Sequence, residues 1–141
     1  MRKYREYESI EHTADVGIRA FGPTLKDLFQ NAGKAFFNII TELEMVDLFE
    51  EKNIVIENKG KERLLVSWLS EFLYLFEVDG WLFRRCEILS LDENRVEAIC
   101  LGEKFDPKRH PIKTEIKGVT HHQLLIQKVH GLWEATIILD I

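Results

Sequence analysis

Two amphipathic segments constrain the fold of this chain more than any other feature of its sequence. The first covers residues 24–43 and the second residues 61–78, and in both the apolar residues recur every three or four positions, as in an α-helix. Thr24 and Asp27 have the spacing of a capping box at the start of the first segment, and Asp79-Gly80 ends the second. Both apolar stripes are wide, so we expect two helices that pack on a sheet and place their aromatic residues in the core.

The rest of the chain has the residue pattern of β-strands joined by short turns. The predicted strands cover residues 16–21, 53–57, 81–91, 95–101, 112–128 and 132–140. Strands joined by short turns pair antiparallel. Because the helices do not alternate regularly with the strands, the pattern predicts an α+β fold rather than a doubly wound one. We expect two amphipathic helices packed on a largely antiparallel sheet, in a single two-layer domain that covers residues 1–141.

The amino-acid composition indicates where in the cell the protein is located and which classes of partner it can bind. No run of about 18 apolar residues is present, and the charged N-terminus leads into no apolar signal segment, so a cytoplasmic location without membrane contact is expected. The net charge is −5, and the basic residues are scattered. A protein that grips RNA through its phosphates normally carries a basic excess, so direct RNA binding is disfavoured as the main function.

The two cysteines, Cys86 and Cys100, form no CxxC motif, which argues against a zinc site or a redox motif. Both lie in predicted strands that flank a turn at residues 92–94. A turn of three residues would set them opposite each other, where a disulfide is geometrically feasible, but a slip of one residue would separate them. Cytosolic thiols are usually reduced, so we expect two buried and inert cysteines.

The strand-like run of residues 135–141 ends in two acidic groups, the side chain of Asp140 and the α-carboxylate of Ile141. The run reads as buried up to its final residue. Two neighbouring anions repel each other unless a cation or hydrogen-bond donors compensate them. Calcium and magnesium are hard cations that prefer such oxygen ligands. The alternative is an exposed strand end whose charges are solvated by water.

Other polar clusters offer further candidates. His12 and Asp15 could bind one metal ion, or His12 could simply hydrogen-bond to Asp15. Residues 120–123 fall in a predicted strand, so His121 and His122 should point to opposite faces. No serine lies in a turn typical of a nucleophile, and glycine-rich phosphate loops are absent. A metal-dependent nuclease or phosphohydrolase that uses Asp15 and Asp140 remains the enzymatic alternative.

At these same segments the sequence resembles the archease family over nearly its full length. The matching motifs, in chain order, are Glu11-His12-Thr13-Ala14-Asp15-Val16-Gly17, Leu64-Leu65, Trp68-Leu69, Leu73-Tyr74, Gly102-Glu103, Arg109-His110, Glu115-Ile116-Lys117, Val119-Thr120, His122 and Asp140-Ile141. Two positions depart from the family pattern: Gly118 stands where alanine is usual, and His121 where tyrosine is usual. Both lie beside the motif and leave its charged members in place.

The resemblance implies a function that composition does not reveal. Archeases are accessory proteins of the RtcB-type RNA ligase, which uses GTP and a divalent metal to join RNA ends during tRNA splicing. By this resemblance the chain is not an enzyme; it promotes guanylylation of the ligase and lets the ligase turn over repeatedly. By the same resemblance, tRNA and GTP bind to the ligase, and this chain is connected to them only indirectly. A chaperone-like or RNA-binding module is the third alternative. The net charge of −5 argues against RNA binding, and the absence of a large exposed apolar segment in the sequence argues against a chaperone.

The same resemblance implies a metal site formed by Asp15, Asp140 and the α-carboxylate of Ile141. Calcium is the ion usually assigned, although three carboxylates could also hold magnesium or manganese. For this site to form, the strand that begins at Val16 must lie beside the last strand.

Four further polar residues are candidates for contacts with the ligase or for orienting the metal ligands. They are Glu103, His110, Lys117 and His122. The alternative is that they form a buried hydrogen-bonded network that shapes their loop.

Overall fold

The computed structural model describes residues 3–11 and 15–141 of the chain. In chain order its elements are β1 (Tyr7–Glu11), β2 (Asp15–Gly22), α1 (Leu25–Ile40), β3 (Glu50–Glu57), α2 (Lys61–Asp79), β4 (Trp81–Leu91), β5 (Arg95–Lys104), β6 (Gly118–Val119), β7 (Leu125–Val129) and β8 (Leu132–Asp140). A short 3₁₀ helix, Leu43–Met45, follows α1. His12, which the sequence offered as a partner of Asp15, lies outside the described residues.

The strands form two antiparallel sheets. The five-stranded sheet has the order β1-β2-β8-β6, and β7 pairs with the same edge of β8 as β6 does. The three-stranded sheet has the order β3-β5-β4. Helix α1 packs against β2 of the first sheet and β4 of the second, so the helical layer joins the two sheets. The predicted class, α+β with two helices on antiparallel strands, is confirmed, with two sheets in place of the single one expected.

Both helices form where their apolar periodicity predicted. The hydroxyl of Thr24 accepts the Asp27 N–H at 3.1 Å, and the Asp27 carboxylate accepts the Thr24 N–H at 3.3 Å, which completes the capping box. Helix α1 ends at Ile40, short of the expected residue 43. Helix α2 ends before Gly80, whose φ of 74° is left-handed and therefore suits glycine.

The aromatic residues of the helices fill the core between the helices and the sheets. Trp68 and Phe72 of α2 are fully buried, with ring centroids 4.5 Å apart. Phe37 of α1 packs edge-on against Phe83 of β4 at 5.7 Å. The indole N–H of Trp68 donates to the carbonyl oxygen of Phe29 at 3.0 Å, so the buried polar group of this side chain is satisfied. These aromatics are core residues, as expected from the two stripes.

The prediction of one long strand over residues 112–128 is wrong. Residues 111–117 form no regular strand; the N–H of Lys113 donates instead to the carbonyl oxygen of Ile40 at the end of α1. Only Gly118–Val119 and Leu125–Val129 pair with β8. Gln123, with a φ of 55°, forms a turn between them. Residues 112–117 therefore did not produce a strand, because the segment bonds to the end of helix α1 through Lys113 and reaches β8 only at Lys117.

The two cysteines form a disulfide, which corrects the expectation of reduced thiols. Cys86 and Cys100 lie directly opposite each other in the β4–β5 hairpin, with their Cα atoms 4.0 Å apart. The pairing next to the turn, if continued unbroken, would set Cys86 opposite Leu101 instead. A bulge between Ile88 and Ser90 shifts the register by one residue and brings the cysteines together. Both cysteines are buried, as expected.

The described residues contain no candidate membrane span, since neither α1 nor α2 is apolar enough over the length needed to cross a bilayer.

Candidate functional site

Strand pairing brings Asp15 and Asp140 together at one end of the five-stranded sheet. β2 and β8 are antiparallel, and Asp15 is the direct cross-strand partner of Asp140. Directly opposed residues place their side chains on the same face of the sheet, with Cβ atoms about 5 Å apart. The requirement that the strand starting near Val16 lie beside the last strand is therefore met.

Two neighbouring strands, β2 and β6, pair with the end of β8, one on each of its edges. On the edge opposite β2, Gly118 of β6 pairs with Asp140, and the N–H of Lys117 donates to the Asp140 carbonyl oxygen at 2.7 Å. The side chain of Asp140 is exposed, and Ile141 is 37% exposed. The run that was expected to be buried to its final residue is thus buried only as far as Leu139. The backbone at Asp140 is fixed while its side chain faces solvent, whereas Oδ1 of the neighbouring Asp15 is buried.

A cavity of about 380 Å³ opens beside this acidic end, and both Asp15 and Ile141 line it. Its other polar lining residues are Tyr7, Ser9, Asn38, Lys113 and Thr114. Burial raises the pKa of Tyr7, and the charge of Glu6 adds to this effect, so Tyr7 contributes a neutral hydroxyl at physiological pH. No pattern in the sequence indicates these lining residues, since they come from β1, α1 and an irregular segment that only folding brings together.

The donors at this end suit a hard cation with an incomplete protein shell. Within residues 3–11 and 15–141, no group of three or more His, Cys, Asp or Glu side chains has metal-binding geometry. The two aspartates, with the α-carboxylate of Ile141, would supply oxygen ligands of the kind that calcium and magnesium prefer. Magnesium in particular often keeps several waters and binds through one or two carboxylates. The residues present therefore fit a divalent ion that completes its coordination with water or with groups of a partner.

A second polar cluster is centred on Glu103, which is 7% exposed at the end of β5. One oxygen of Glu103 accepts a hydrogen bond from Arg109 at 2.6 Å. The other accepts the N–H of Asp47 at 2.6 Å and lies 3.0 Å from Nε2 of His110. Because the Asp106 N–H donates to Nδ1 of His110 at 2.9 Å, the ring proton resides on Nε2 and donates to Glu103. Glu103 and His110 thus form the buried network offered as the structural alternative.

This network shifts the pKa of two of its members. Burial alone would raise the pKa of Glu103, but the hydrogen bonds from Arg109, Asp47 and His110, together with the charge of Arg109, lower it to about 2. The hydrogen bond to Glu103 raises the pKa of Arg109 above its ordinary value. Glu103 is therefore anionic and Arg109 cationic at any physiological pH.

Replacing Glu103 with glutamine should change the acid stability of the protein. The folded pKa of about 2 lies below the ordinary value of 4.5, so the carboxylate contributes stability above pH 4.5, and this contribution is lost as the pH falls toward 2. Because Arg109 is partly exposed, we expect a contribution on the order of 2 kcal/mol. Urea unfolding at pH 7 and pH 3 should show a smaller loss on acidification in Glu103→Gln than in the wild type.

The matched control for that measurement is Glu93→Gln, a change in the exposed turn between β4 and β5. This variant should follow the wild type at both pH values. An equal loss of stability on acidification in Glu103→Gln and in the wild type would show that the network does not hold the Glu103 carboxylate in its charged form.

The remaining polar candidates do not join either cluster. The prediction that residues 120–123 lie in a strand is wrong, because His122 and Gln123 form a turn and His121 precedes it. Both His121 and His122 are exposed. The hydroxyl of Thr120 accepts the His122 N–H at 3.2 Å and donates to the Ile138 carbonyl oxygen at 2.9 Å, so it anchors this turn to β8. Lys117 is exposed and contributes its backbone N–H to the end of β8.

The fold defines the class: a small α+β protein with two helices on two antiparallel sheets, in which the acidic ends of the second and last strands meet. Solved structures share this fold. A solution structure of Methanobacterium thermoautotrophicum protein 1598 superposes with a TM-score of 0.81 at 31% identity, covering 96% of this chain and 99% of that one. A crystal structure from Thermotoga maritima, described as an archease and possible chaperone, has a TM-score of 0.62 at 23% identity, covering 100% and 98%.

Sequence comparison assigns the family. The model of the Archease protein family (MTH1598/TM1083) matches residues 7–141. The protein archease of Methanosarcina mazei is 41% identical over an alignment of 141 residues that covers 97% of each chain. That of Pyrococcus furiosus is 36% identical and covers 97% of this chain and 99% of its own. The chain belongs to the archease family.

Proposed function

We propose that this chain is a non-catalytic accessory protein of an RtcB-type, GTP-dependent RNA ligase, and that it acts in tRNA splicing in the cytoplasm. Its role would be to promote guanylylation of the ligase and to allow multiple turnovers. Membership of the archease family supports the proposal. The observation that best supports a functional site at this end of the sheet is the direct cross-strand pairing of Asp15 with Asp140.

We propose further that Asp15, Asp140 and the α-carboxylate of Ile141 bind a divalent ion, with calcium as the expected ion and magnesium or manganese as alternatives. The bound ion would compensate the repulsion between the carboxylates. The pairing of β6 and β2 with β8 supports this assignment, because a fixed backbone limits the ordering cost of metal binding to the side chains.

Exposure of Asp140 supports a role in contact with a partner. A carboxylate that points to solvent, with its backbone fixed, can approach the metal and nucleotide site of a ligase without rearrangement. An acidic end also complements the basic channel expected in a protein that binds RNA. We propose that this end docks near the ligase active site and stabilises the conformation that accepts the guanylyl group.

The test is multiple-turnover ligation of a cleaved tRNA by the cognate ligase, at limiting enzyme, with GTP and divalent metal. Ligation should pass from a single turnover to many turnovers only when this chain is present. Unchanged ligation would overturn the proposed function. A parallel reaction with the chain, metal and RNA but no ligase tests the enzymatic alternative, since only a nuclease or phosphohydrolase that uses Asp15 and Asp140 predicts cleavage there.

Asp140→Asn should lower both metal affinity and ligase activation by about tenfold, because it removes one anionic oxygen ligand while conserving size. Calcium affinity is measured by calorimetry, and activation by the ligation assay. Asp79→Asn is the matched control, since Asp79 is an exposed aspartate at the end of α2. Full activation by a folded Asp140→Asn protein that no longer binds metal would remove the ion from the mechanism.

A further inference from the structure

The segment of residues 42–51 combines exposed apolar side chains with a strong negative charge. Its exposed apolar residues are Met45, Leu48 and Phe49, and Phe49 is 80% exposed. The segment also contains five acidic residues and no Lys or Arg, namely Glu42, Glu44, Asp47, Glu50 and Glu51. Two of the five pair with basic residues elsewhere in the chain, Glu42 with Lys113 and Asp47 with Arg109. Exposed apolar side chains within one short segment, bordered by polar groups, are typical of an interaction site.

The backbone of this segment is held rigidly by charged side chains from elsewhere in the fold. Arg109 donates to the Asp47 carboxylate at 2.8 Å and to the Met45 carbonyl oxygen at 3.4 Å. Arg84 donates to the Val46 carbonyl oxygen at 3.2 Å. The buried carboxylate of Glu103 accepts the Asp47 N–H. The network around Glu103 therefore fixes the 42–51 segment.

Side-chain packing and backbone hydrogen bonds also hold the 42–51 segment in place. Val46 is fully buried and anchors the segment in the core. The N–H of Phe49 donates to the Gly102 carbonyl oxygen at 3.0 Å, and Glu50 begins β3. Because the backbone is already fixed, binding would cost only the rotamer freedom of the exposed side chains and not the ordering of the main chain, so the segment is pre-organised for binding.

We propose that the 42–51 segment is a docking site for a protein whose apolar pocket is bordered by Lys and Arg side chains. Leu48 and Phe49 would enter the pocket, and the exposed carboxylates around them would face its basic border. Charge complementarity selects this occupant. A second copy of the chain would oppose Glu44, Glu50 and Glu51 to the same three residues across a two-fold axis, and an anionic membrane surface would repel them.

The apolar part of this docking site and the paired aspartates lie on different sheets, although Glu42 at the start of the segment pairs with Lys113, which lines the cavity beside Asp15. Phe49 is bonded to β5 of the three-stranded sheet, whereas Asp15 and Asp140 belong to the five-stranded sheet. The choice of the RNA ligase as the partner to be tested rests on the proposed function. Affinity for the ligase and activation of the ligase are therefore measured separately.

The experiment measures binding of the full-length chain to the purified cognate ligase by calorimetry. Leu48→Ala/Phe49→Ala should raise the Kd about 30-fold, as expected for the loss of apolar anchors at an interface centre. The matched control is Leu125→Ala, because Leu125 is 48% exposed on β7 and Leu48 is 44% exposed. The control should bind as the wild type does, and circular dichroism should show that both variants are folded.

A charge reversal tests the basic border of the pocket. Glu51→Lys should raise the Kd several-fold and weaken its dependence on salt concentration, whereas Glu93→Lys, with the same change in net charge, should alter neither. If the wild type activates the ligase and Leu48→Ala/Phe49→Ala binds as tightly as the wild type, the docking site is wrong and the proposed function stands. If the wild type neither binds nor activates the ligase, both fail. Self-association that Leu48→Ala/Phe49→Ala abolishes would assign the segment to a second copy instead.

Discussion

Gly102→Ala is expected to lower the free energy of unfolding by about 3 kcal/mol or more. A Cβ atom on Gly102 would lie 1.8 Å from the carbonyl oxygen of Leu82 and 2.8 Å from the Cα of Phe83. These are backbone atoms of β4, so no side-chain rotation can relieve the overlap, and the β4–β5 pairing would have to open. The same change would displace the Gly102 carbonyl oxygen that accepts the Phe49 N–H.

Gly118→Ala is the matched control for this prediction. No atom lies within 4 Å of a Cβ built on Gly118. Alanine restricts the unfolded chain more than glycine does, so this change should be neutral or stabilising by up to about 1 kcal/mol. Urea unfolding of the two variants should separate them clearly. Equal stability of both variants would show that β4 and β5 are not as closely apposed at Gly102 as described.

Removal of the disulfide is expected to lower the free energy of unfolding by about 3 kcal/mol, because the bond closes a loop between residues separated by 14 positions. Cys86→Ala/Cys100→Ala should therefore melt well below the oxidised wild type. Mass spectrometry of the unreduced protein should find a chain that has lost two hydrogen atoms. The disulfide joins two strands that are already paired, so the variant should keep the fold.

The control for the disulfide is the wild-type protein unfolded in a reductant and refolded with the reductant present. It should approach the double variant in stability, since it also lacks the cross-link. Two free thiols in the unreduced, denatured wild type would contradict the disulfide and restore the expectation of two buried thiols. A difference in stability that persists after reduction would then reflect the lost packing of the two sulfur atoms.

The helices were predictable because their formation depends on local signals. The capping box at Thr24 and Asp27, the apolar periodicity of α1 and α2, and the left-handed Gly80 all act within a few residues. The strands depend on partners that are distant in the sequence. β1 was missed for this reason, since its residues form a strand only beside β2. The division into two sheets was missed for the same reason, since it also depends on pairing between residues that are distant in the sequence.

The candidate site could be predicted only in part. The resemblance to a known family indicated the pairing of Asp15 with Asp140, and the strand register agrees. Their role in metal binding stays a prediction. The disulfide could not be decided from the sequence, because a single bulge near Ile88 determines whether the two cysteines meet. The exposure of Phe49 was also hidden, since short mixed segments give no periodicity.

The central position of β8 has a consequence for biosynthesis. β8 is synthesised after the other described strands, yet it pairs with β2, and 125 positions separate Asp15 from Asp140. The hairpin of β1 and β2 must therefore wait, with one edge uncovered, until β8 has been made. A translation product that stops before β8 would lack the acidic pair altogether, so that only chains translated through Asp140 could present it to a partner.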